Sequence, residues 1–206
     1  ALLVWSGDIL AAYALLSFLL LAFQPVPARW LAWLGAATYL CAPALMLGLG
    51  LVAWVLTLAP EAAAAWDQGL ADAGGKVAAV VEDGRRIYAS GSYGEAVVQR
   101  AREFGTTLSN VTVLGPLVFG MFLLGAAFAR SGAIAEPARH GRLFAALRWG
   151  ALPLGMLAMG ASIALAPHMP LDRFDLRLGA GQALAMAGSG LMCLGYLAWM
   201  VRAFAT

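Results

Sequence analysis

Five long apolar runs constrain this chain more than any other feature. A helix that crosses the hydrocarbon core of a bilayer needs about 20 mostly apolar residues. Runs of this kind cover residues 2–23, 30–58, 111–129, 144–166 and 178–201. In lipid each backbone polar group must be satisfied within its own segment, so such runs predict helices. The sequence therefore predicts an all-α integral membrane protein with about five transmembrane helices, forming a single membrane domain over residues 1–206.

Composition supports this class and excludes others. The chain is 62% hydrophobic and 12% charged, whereas soluble domains carry about 25% charged residues. The net charge of +2 and the absence of a basic patch with interleaved aromatics exclude a nucleic-acid partner. Cys41, Cys193, His140 and His168 lack ligand spacing, so no metal site is expected. The lipid bilayer is the first predicted partner.

Residues 60–110 differ from the rest, because most of the acidic residues lie here. This composition predicts a helical segment outside the membrane, between the second and third spans. Pro60 predicts a helix start. Gly-Gly at 74–75 and Asp-Gly at 83–84 predict breaks in that helix.

A second helix is expected at the end of this segment. Ser92 followed three residues later by Glu95 is a capping box. The helix that it opens is predicted to be amphipathic and to lie on the membrane surface or on the other spans. Its predicted apolar face consists of Val97, Ala101, Phe104 and Leu108.

Basic residues in the short loops predict the orientation. The loop after the first span, the loop after the third span and the end of the fifth span are expected on the same side of the membrane. This side carries Arg29, Arg130, Arg139, Arg142 and Arg202 against a single acid, Glu136. The loop after the fourth span is balanced in charge. We therefore expect a multi-pass protein of the bacterial cytoplasmic (inner) membrane, with the basic loops in the cytoplasm and residues 60–110 outside.

Small residues at helical spacing predict where the spans pack, because they let helices approach closely in lipid. The predicted stripes are Gly7, Ala11 and Ala14 on the first span, Ala158 and Ser162 on the fourth, and Gly181, Ala185 and Ser189 on the fifth. Pro43 and Pro153 are expected to kink or interrupt the second and fourth spans.

Three residues are candidates for chemistry. Asp8 lies within an apolar run, where a carboxylate is costly and is functional by default. It is predicted to act as a general base or to pair with an arginine of the outer segment; the alternative is a hydrated carboxylate in the aromatic belt beside Trp5. Tyr13 is expected to be a buried phenol with a hydrogen-bond partner. Arg100 either binds a phosphate or carboxylate or contacts solvent and lipid headgroups.

Three stretches in order carry a resemblance: WSGDILAAYA (5–14), ASGSY (89–93) with Arg100, and GMFLLG (120–125) with RSG (130–132). They resemble the YeiB-like bacterial membrane proteins, a family catalogued mostly as a domain of unknown function. Members of that family have further spans on both sides, so this chain is expected to be the central part of a longer protein. The family is distantly similar to transmembrane acyltransferases. The resemblance implies catalytic roles for Asp8, Tyr13 and Arg100, and an acyl donor such as acyl-CoA as the cofactor.

Three functional hypotheses follow. The preferred one is part of a membrane acyltransferase that acts on an extracytoplasmic acceptor. The second is a small-solute transporter with Asp8 as the coupling site, which interrupted helices would favour. The third is a structural membrane subunit. Further helices of the same full-length protein, or a partner subunit, are the expected protein partners.

Overall fold

The described part of the chain consists of helices joined by short loops. A computed structural model describes residues 9–168 and 173–204, apart from the side chains of residues 9–12 and 106–113. In these residues the structure contains helices and no strand, which confirms the all-helical prediction. The helices are α1 (Ile9–Leu20), α2 (Ala28–Leu56), α3 (Pro60–Ser90), α4 (Tyr93–Arg130), α5 (Gly141–Ala146), α6 (Leu152–Leu165) and α7 (Leu176–Phe204). Short 3-10 turns cover Leu21–Phe23 and Pro137–His140, and a π turn covers Leu147–Ala151.

Three helical stretches are long and apolar enough to cross a membrane. They are Ala28–Leu56, Pro137–Leu165 and Leu176–Phe204. They correspond to the predicted second, fourth and fifth spans, with ends that differ by one to seven residues. The apolar stretches Tyr13–Phe23 and Leu114–Arg130 are shorter within the described residues.

Prolines and one capping box set the helix starts. Pro27 is the N-cap of α2, and Pro60 is the first residue of α3, where a missing N–H costs nothing. The predicted capping box at the start of α4 is confirmed. The backbone N–H of Glu95 donates to Ser92 Oγ at 3.3 Å, and that of Ser92 donates to Glu95 Oε2 at 2.7 Å. The hydrogen bond from the Ser92 backbone lowers the pKa of the Glu95 carboxyl.

The predicted breaks at 74–75 and 83–84 are wrong, because α3 is continuous from Pro60 to Ser90. A glycine inside a helix costs only about 1 kcal/mol relative to alanine, and alanines lie near the pair at 74–75. Gly84 also has a packing role. A Cβ atom there would lie 3.2 Å from Glu103 Oε1 and 3.3 Å from Gln99 Nε2, both on α4. The glycine therefore lets α4 approach α3.

The expected amphipathic helix and the third span form one helix, α4. Its 38 residues measure about 57 Å at 1.5 Å per residue, which exceeds the roughly 30 Å core of a bilayer. The first half of α4 forms a helical hairpin with α3. Of the predicted apolar face, Val97 and Ala101 are exposed and Phe104 is half-buried, so it does not pack on the other helices as a whole, and a position on the membrane surface stays a prediction. Gln99 packs against the backbone of Gly84 instead.

Glycine backbones form the contacts between the long helices. A Cβ atom added to Gly120 on α4 would lie 2.6 Å from the backbone nitrogen of Tyr39 and 2.8 Å from the carbonyl oxygen of Gly35, both on α2. A Cβ atom on Gly155 of α6 would lie 2.8 Å from the carbonyl oxygen of Gly188 on α7. The predicted stripes on the fourth and fifth spans also take part, since Ser162 is buried and Gly181 faces Ala166.

Large apolar side chains point outward from these helix–helix contacts. Phe18, Trp33 and Leu157 are 75%, 73% and 70% exposed. The buried positions of α7 are mostly glycines, with Leu178 and Ala198. Large apolar side chains are thus on the surface and glycines are buried. This distribution is poorly suited to water and matches helices that pack by close backbone approach in lipid.

Pro43 and Pro153 affect their helices, α2 and α6, differently. The expectation that Pro43 interrupts its span is wrong, because α2 is continuous through Pro43. Near Pro153 the helix is distorted, and the backbone N–H of Leu152 donates to the carbonyl oxygen of Leu147, five residues earlier. A proline has no N–H to continue the regular pattern, which accounts for a π turn directly before it.

The loops group at two ends of the bundle. Nη1 of Arg130, at the end of α4, donates to the carbonyl oxygens of Phe23, Gln24 and Val26 at 3.3, 2.7 and 2.9 Å. We call this the Arg130 end. At the opposite end, Trp66 Nε1 on α3 donates to the carbonyl oxygen of Phe174 at 3.3 Å; we call it the Trp66 end. The Arg130 end joins the two loops that carry the excess of basic residues.

Candidate functional site

A cavity of about 450 Å³ lies at the Trp66 end, where the last turn of α2, the first turns of α3 and the start of α7 meet. Its volume falls in the range of small-ligand sites. It is lined by Ala53, Trp54, Thr57, Ala63, Trp66, Asp67, Arg173, Phe174, Asp175, Leu176 and Arg177. We call it the outer cavity, because it adjoins residues 60–110, the segment that the sequence predicts to lie outside the membrane.

Close helix packing and two hydrogen bonds position its walls. A Cβ atom on Gly179 would lie 2.8 Å from the Cα atom of Gly50 and 2.7 Å from the carbonyl oxygen of Met46, so the start of α7 is pressed against α2. Asp175 Oδ1 accepts a hydrogen bond from the backbone N–H of Leu178 at 2.8 Å and caps α7. The indole of Trp66 holds α3 to the preceding residue, Phe174.

Four charged side chains line the outer cavity: Asp67, Asp175, Arg173 and Arg177. Asp175 is engaged in capping, whereas Asp67 projects from the solvent-exposed part of α3. A carboxylate can remove a proton from a hydroxyl or amine. Guanidinium groups can bind a carboxylate, phosphate or developing oxyanion. Among the described residues no cluster of three or more His, Cys, Asp or Glu side chains could hold a metal ion.

The three residues singled out by the sequence do not form one described site. Asp8 lies outside the described residues. Tyr13 is 40% exposed rather than buried, and its ring meets that of Phe122 edge-on with centroids 5.8 Å apart. Arg100 precedes Phe122 by 22 residues on the same helix, which separates them by about 33 Å. The structure therefore does not bring Tyr13 and Arg100 together, and their catalytic roles stay predictions.

Arg100 belongs instead to a cluster near the tip of the α3–α4 hairpin. Its Cζ atom lies 5.9 Å from the centroid of the Tyr88 ring. The Tyr88 hydroxyl donates to Glu103 Oε2 at 2.8 Å, and Gln99 Nε2 donates to Glu103 Oε1 at 3.1 Å. These contacts join the two helices where Gly84 brings them close. Arg100 therefore has a structural environment, over an aromatic ring, as well as its predicted anion-binding role.

The Tyr88 phenol should ionise above the ordinary pH range of tyrosine. Partial burial raises its pKa, the hydrogen bond to Glu103 raises it further, and Arg100 opposes the shift. Because the folded state favours the neutral phenol, the resulting stabilisation is present below about pH 10 and is lost as the pH rises through the raised pKa. We expect the difference in absorbance at 295 nm between the unmodified protein and Tyr88→Phe to titrate above pH 10.

Tyr93→Phe is the matched control, since Tyr93 lies near the same turn and is 73% exposed. The absorbance change above pH 10 that is lost in the Tyr88→Phe protein should still be present in the Tyr93→Phe protein. A Tyr88 phenol that ionises at or below the pH of free tyrosine contradicts the hydrogen bond to Glu103.

Two charged residues were missed by sequence reasoning: Asp67 of the outer cavity, and Arg148, which lines a second cavity at the Arg130 end. Asp67 is one acid among many in residues 60–110, and no motif marks it. Arg148 lies within the apolar run 144–166. Its position there was a usable signal, because a charged residue inside a predicted span indicates a functional site.

Comparisons with known proteins show a distant similarity. No family model matches the chain, and no solved structure matches it. The chain is similar to the uncharacterized protein YxaH of Bacillus subtilis (strain 168), with 31% identity over 169 residues. The matched region covers 76% of this chain and 38% of that protein. The chain thus spans well under half the length of this relative, which is itself described as uncharacterized.

Proposed function

We propose that this chain is the central, membrane-embedded part of a YeiB-like, acyltransferase-like protein of the bacterial inner membrane. In this proposal α1 and the second half of α4 join the three long apolar stretches to give five spans. The grouping of the basic loops at the Arg130 end supports a cytoplasmic position for that end. The Trp66 end and the α3–α4 hairpin then lie outside.

The observation that carries the proposed reaction is the outer cavity. It joins a carboxylate, Asp67, with the guanidinium groups of Arg173 and Arg177 at the end of the bundle opposite the basic loops. An acceptor bound there would meet a proton acceptor and a cationic site for negative charge in one water-accessible space. Acyl transfer to a hydroxyl or amine acceptor can use both groups.

Asp67 takes the proton of an acceptor hydroxyl or amine, whose oxygen or nitrogen then attacks the carbonyl carbon of an acyl thioester such as acyl-CoA. The bond from that carbon to sulfur breaks, and the thiolate leaves and takes up a proton. Arg173 or Arg177 stabilises the oxyanion formed in between. The thioester would enter from the cytoplasmic side and present its acyl group through the bundle.

The transporter alternative has lost part of its basis. Interrupted helices would have favoured it, but α2 continues through Pro43. The distortion at Pro153 is a single π turn near the Arg130 end. We therefore retain acyl transfer as the proposal.

The test uses inverted membrane vesicles that contain the full-length protein, in which the cytoplasmic face points outward. Acyl-CoA labelled in its acyl group is added outside, and label in products other than acyl-CoA is measured. We expect transfer in inverted vesicles and none in right-side-out vesicles, because acyl-CoA does not cross the bilayer. Equal labelling of both preparations, or none in either, contradicts the proposal. Unchanged turnover in Asp8→Asn vesicles would contradict the predicted role of Asp8 as a general base.

A further inference from the structure

A second cavity, of about 1,030 Å³, lies at the Arg130 end. It is formed by the turn after α4, the π turn and the last turns of α7. Three arginines, Arg139, Arg148 and Arg202, line it together with one acid, Glu136. The remaining lining is mostly apolar and includes Ile134, Phe144, Leu197, Met200, Val201 and Phe204.

Arg148 is the feature of this cavity that most needs a ligand. Its Nε atom is buried and has no hydrogen-bond partner in the structure. A buried donor of a charged group that stays unpaired is costly. Its Cζ atom lies 5.8 Å from the centroid of the Trp199 ring, a contact that holds the guanidinium without supplying an acceptor. Arg148 also lies in the π turn, and such turns are frequent at functional sites.

The charge of the cavity fits an anion. Arg139 pairs with Glu136, with Nε 2.7 Å from Oε2, so the one acid is already engaged. The excess of arginine is therefore uncompensated by the other residues that line the cavity. Guanidinium groups bind phosphate oxygens through paired N–H donors.

The apolar rim fits acyl chains. Phe204, Met200 and Ile134 are 86%, 57% and 47% exposed. The Trp199 ring packs edge-on against that of Trp149, with centroids 5.6 Å apart, and Trp149 is 70% exposed. Tryptophans of this kind mark the level of lipid headgroups. A ligand with a phosphate at Arg148 and an apolar tail along this rim would match both parts of the cavity.

We propose that this cavity binds the phosphate headgroup of an anionic phospholipid, with Arg148 as the principal ligand to the phosphate. Basic pockets between membrane helices bind such headgroups in other proteins. The proposal does not depend on acyl transfer, and it needs only that the Arg130 end lie at a membrane surface.

The test measures lipid binding to the purified full-length protein in detergent. Phosphatidylglycerol and phosphatidylcholine with identical acyl chains are added in separate titrations. Bound lipid is counted by native mass spectrometry, and the thermal midpoint is followed. We expect phosphatidylglycerol to bind with a stoichiometry of one and to raise the midpoint, and phosphatidylcholine to do neither. Arg148→Gln should weaken phosphatidylglycerol binding about 10- to 100-fold, as loss of a charge-assisted pair does.

Arg142→Gln is the matched control, because Arg142 lies at the same end and outside the cavity lining. It should retain binding within about twofold. If Arg148→Gln does not fold, Arg202→Gln, at an exposed position of the lining, should weaken binding several-fold. Equal binding of the two lipids, or equal loss in Arg142→Gln and the cavity variants, overturns the proposal. Protection by inorganic phosphate or acyl-CoA but not by phosphatidylglycerol overturns the lipid assignment in favour of a soluble phosphate ligand.

Discussion

Replacing Asp67 with asparagine is expected to lower acyl transfer about 10²- to 10⁴-fold, the range for loss of a general base. The amide keeps the size of the side chain but cannot accept the acceptor's proton at neutral pH. Because Asp67 is exposed on α3 and lines the outer cavity, the fold should be retained. The measurement is the initial rate of label transfer in inverted vesicles, normalised to the amount of protein.

Asp72→Asn is the matched control for this prediction. Asp72 lies five residues further along α3, is exposed, and does not line the outer cavity. It carries the same change in charge and should retain full transfer. Equal rates in the Asp67→Asn and Asp72→Asn proteins would remove Asp67 from the reaction. A lower thermal midpoint in Asp67→Asn alone would assign it a structural role.

Replacing Gly120 with alanine should destabilise the bundle by about 1–3 kcal/mol, the usual cost of overpacking a close contact. The added Cβ atom would lie 2.6 Å from the Tyr39 nitrogen and 2.8 Å from the Gly35 carbonyl oxygen. Both are backbone atoms of α2, so no side chain can rotate to relieve the contact. Unfolding by SDS titration in mixed micelles, followed by circular dichroism, measures the loss.

Gly125→Ala on the same helix separates this contact from helix propensity. No atom lies within 4 Å of a Cβ built on Gly125. Alanine there should be neutral or stabilising by up to about 1 kcal/mol, because alanine favours the helix over glycine. Equal unfolding free energies for the Gly120→Ala and Gly125→Ala proteins would contradict the close approach of α2 and α4.

Helix starts and apolar stretches were predictable because their causes are local. Pro60 and the Ser92–Glu95 capping box act within a few residues of themselves, and both helices begin where these signals stand. The breaks at 74–75 and 83–84 were predicted wrongly, because a glycine weakens a helix only slightly and packing decides whether it continues. Gly84 illustrates this point, since its contact with α4 is invisible in the order of residues along α3.

The sequence by itself determined that the chain is helical, that long apolar stretches dominate it, and that the basic loops alternate with balanced ones. These properties depend on residue type and spacing along one segment. Only the tertiary structure decided which side chains meet. Trp54, Asp67 and Arg173 line one cavity although they come from three separate segments. Arg148 lies in a cavity with the end of α7, some fifty residues further along the chain. These contacts depend on how closely glycine backbones let the helices approach. That distance is a property of a pair of helices rather than of a single helix.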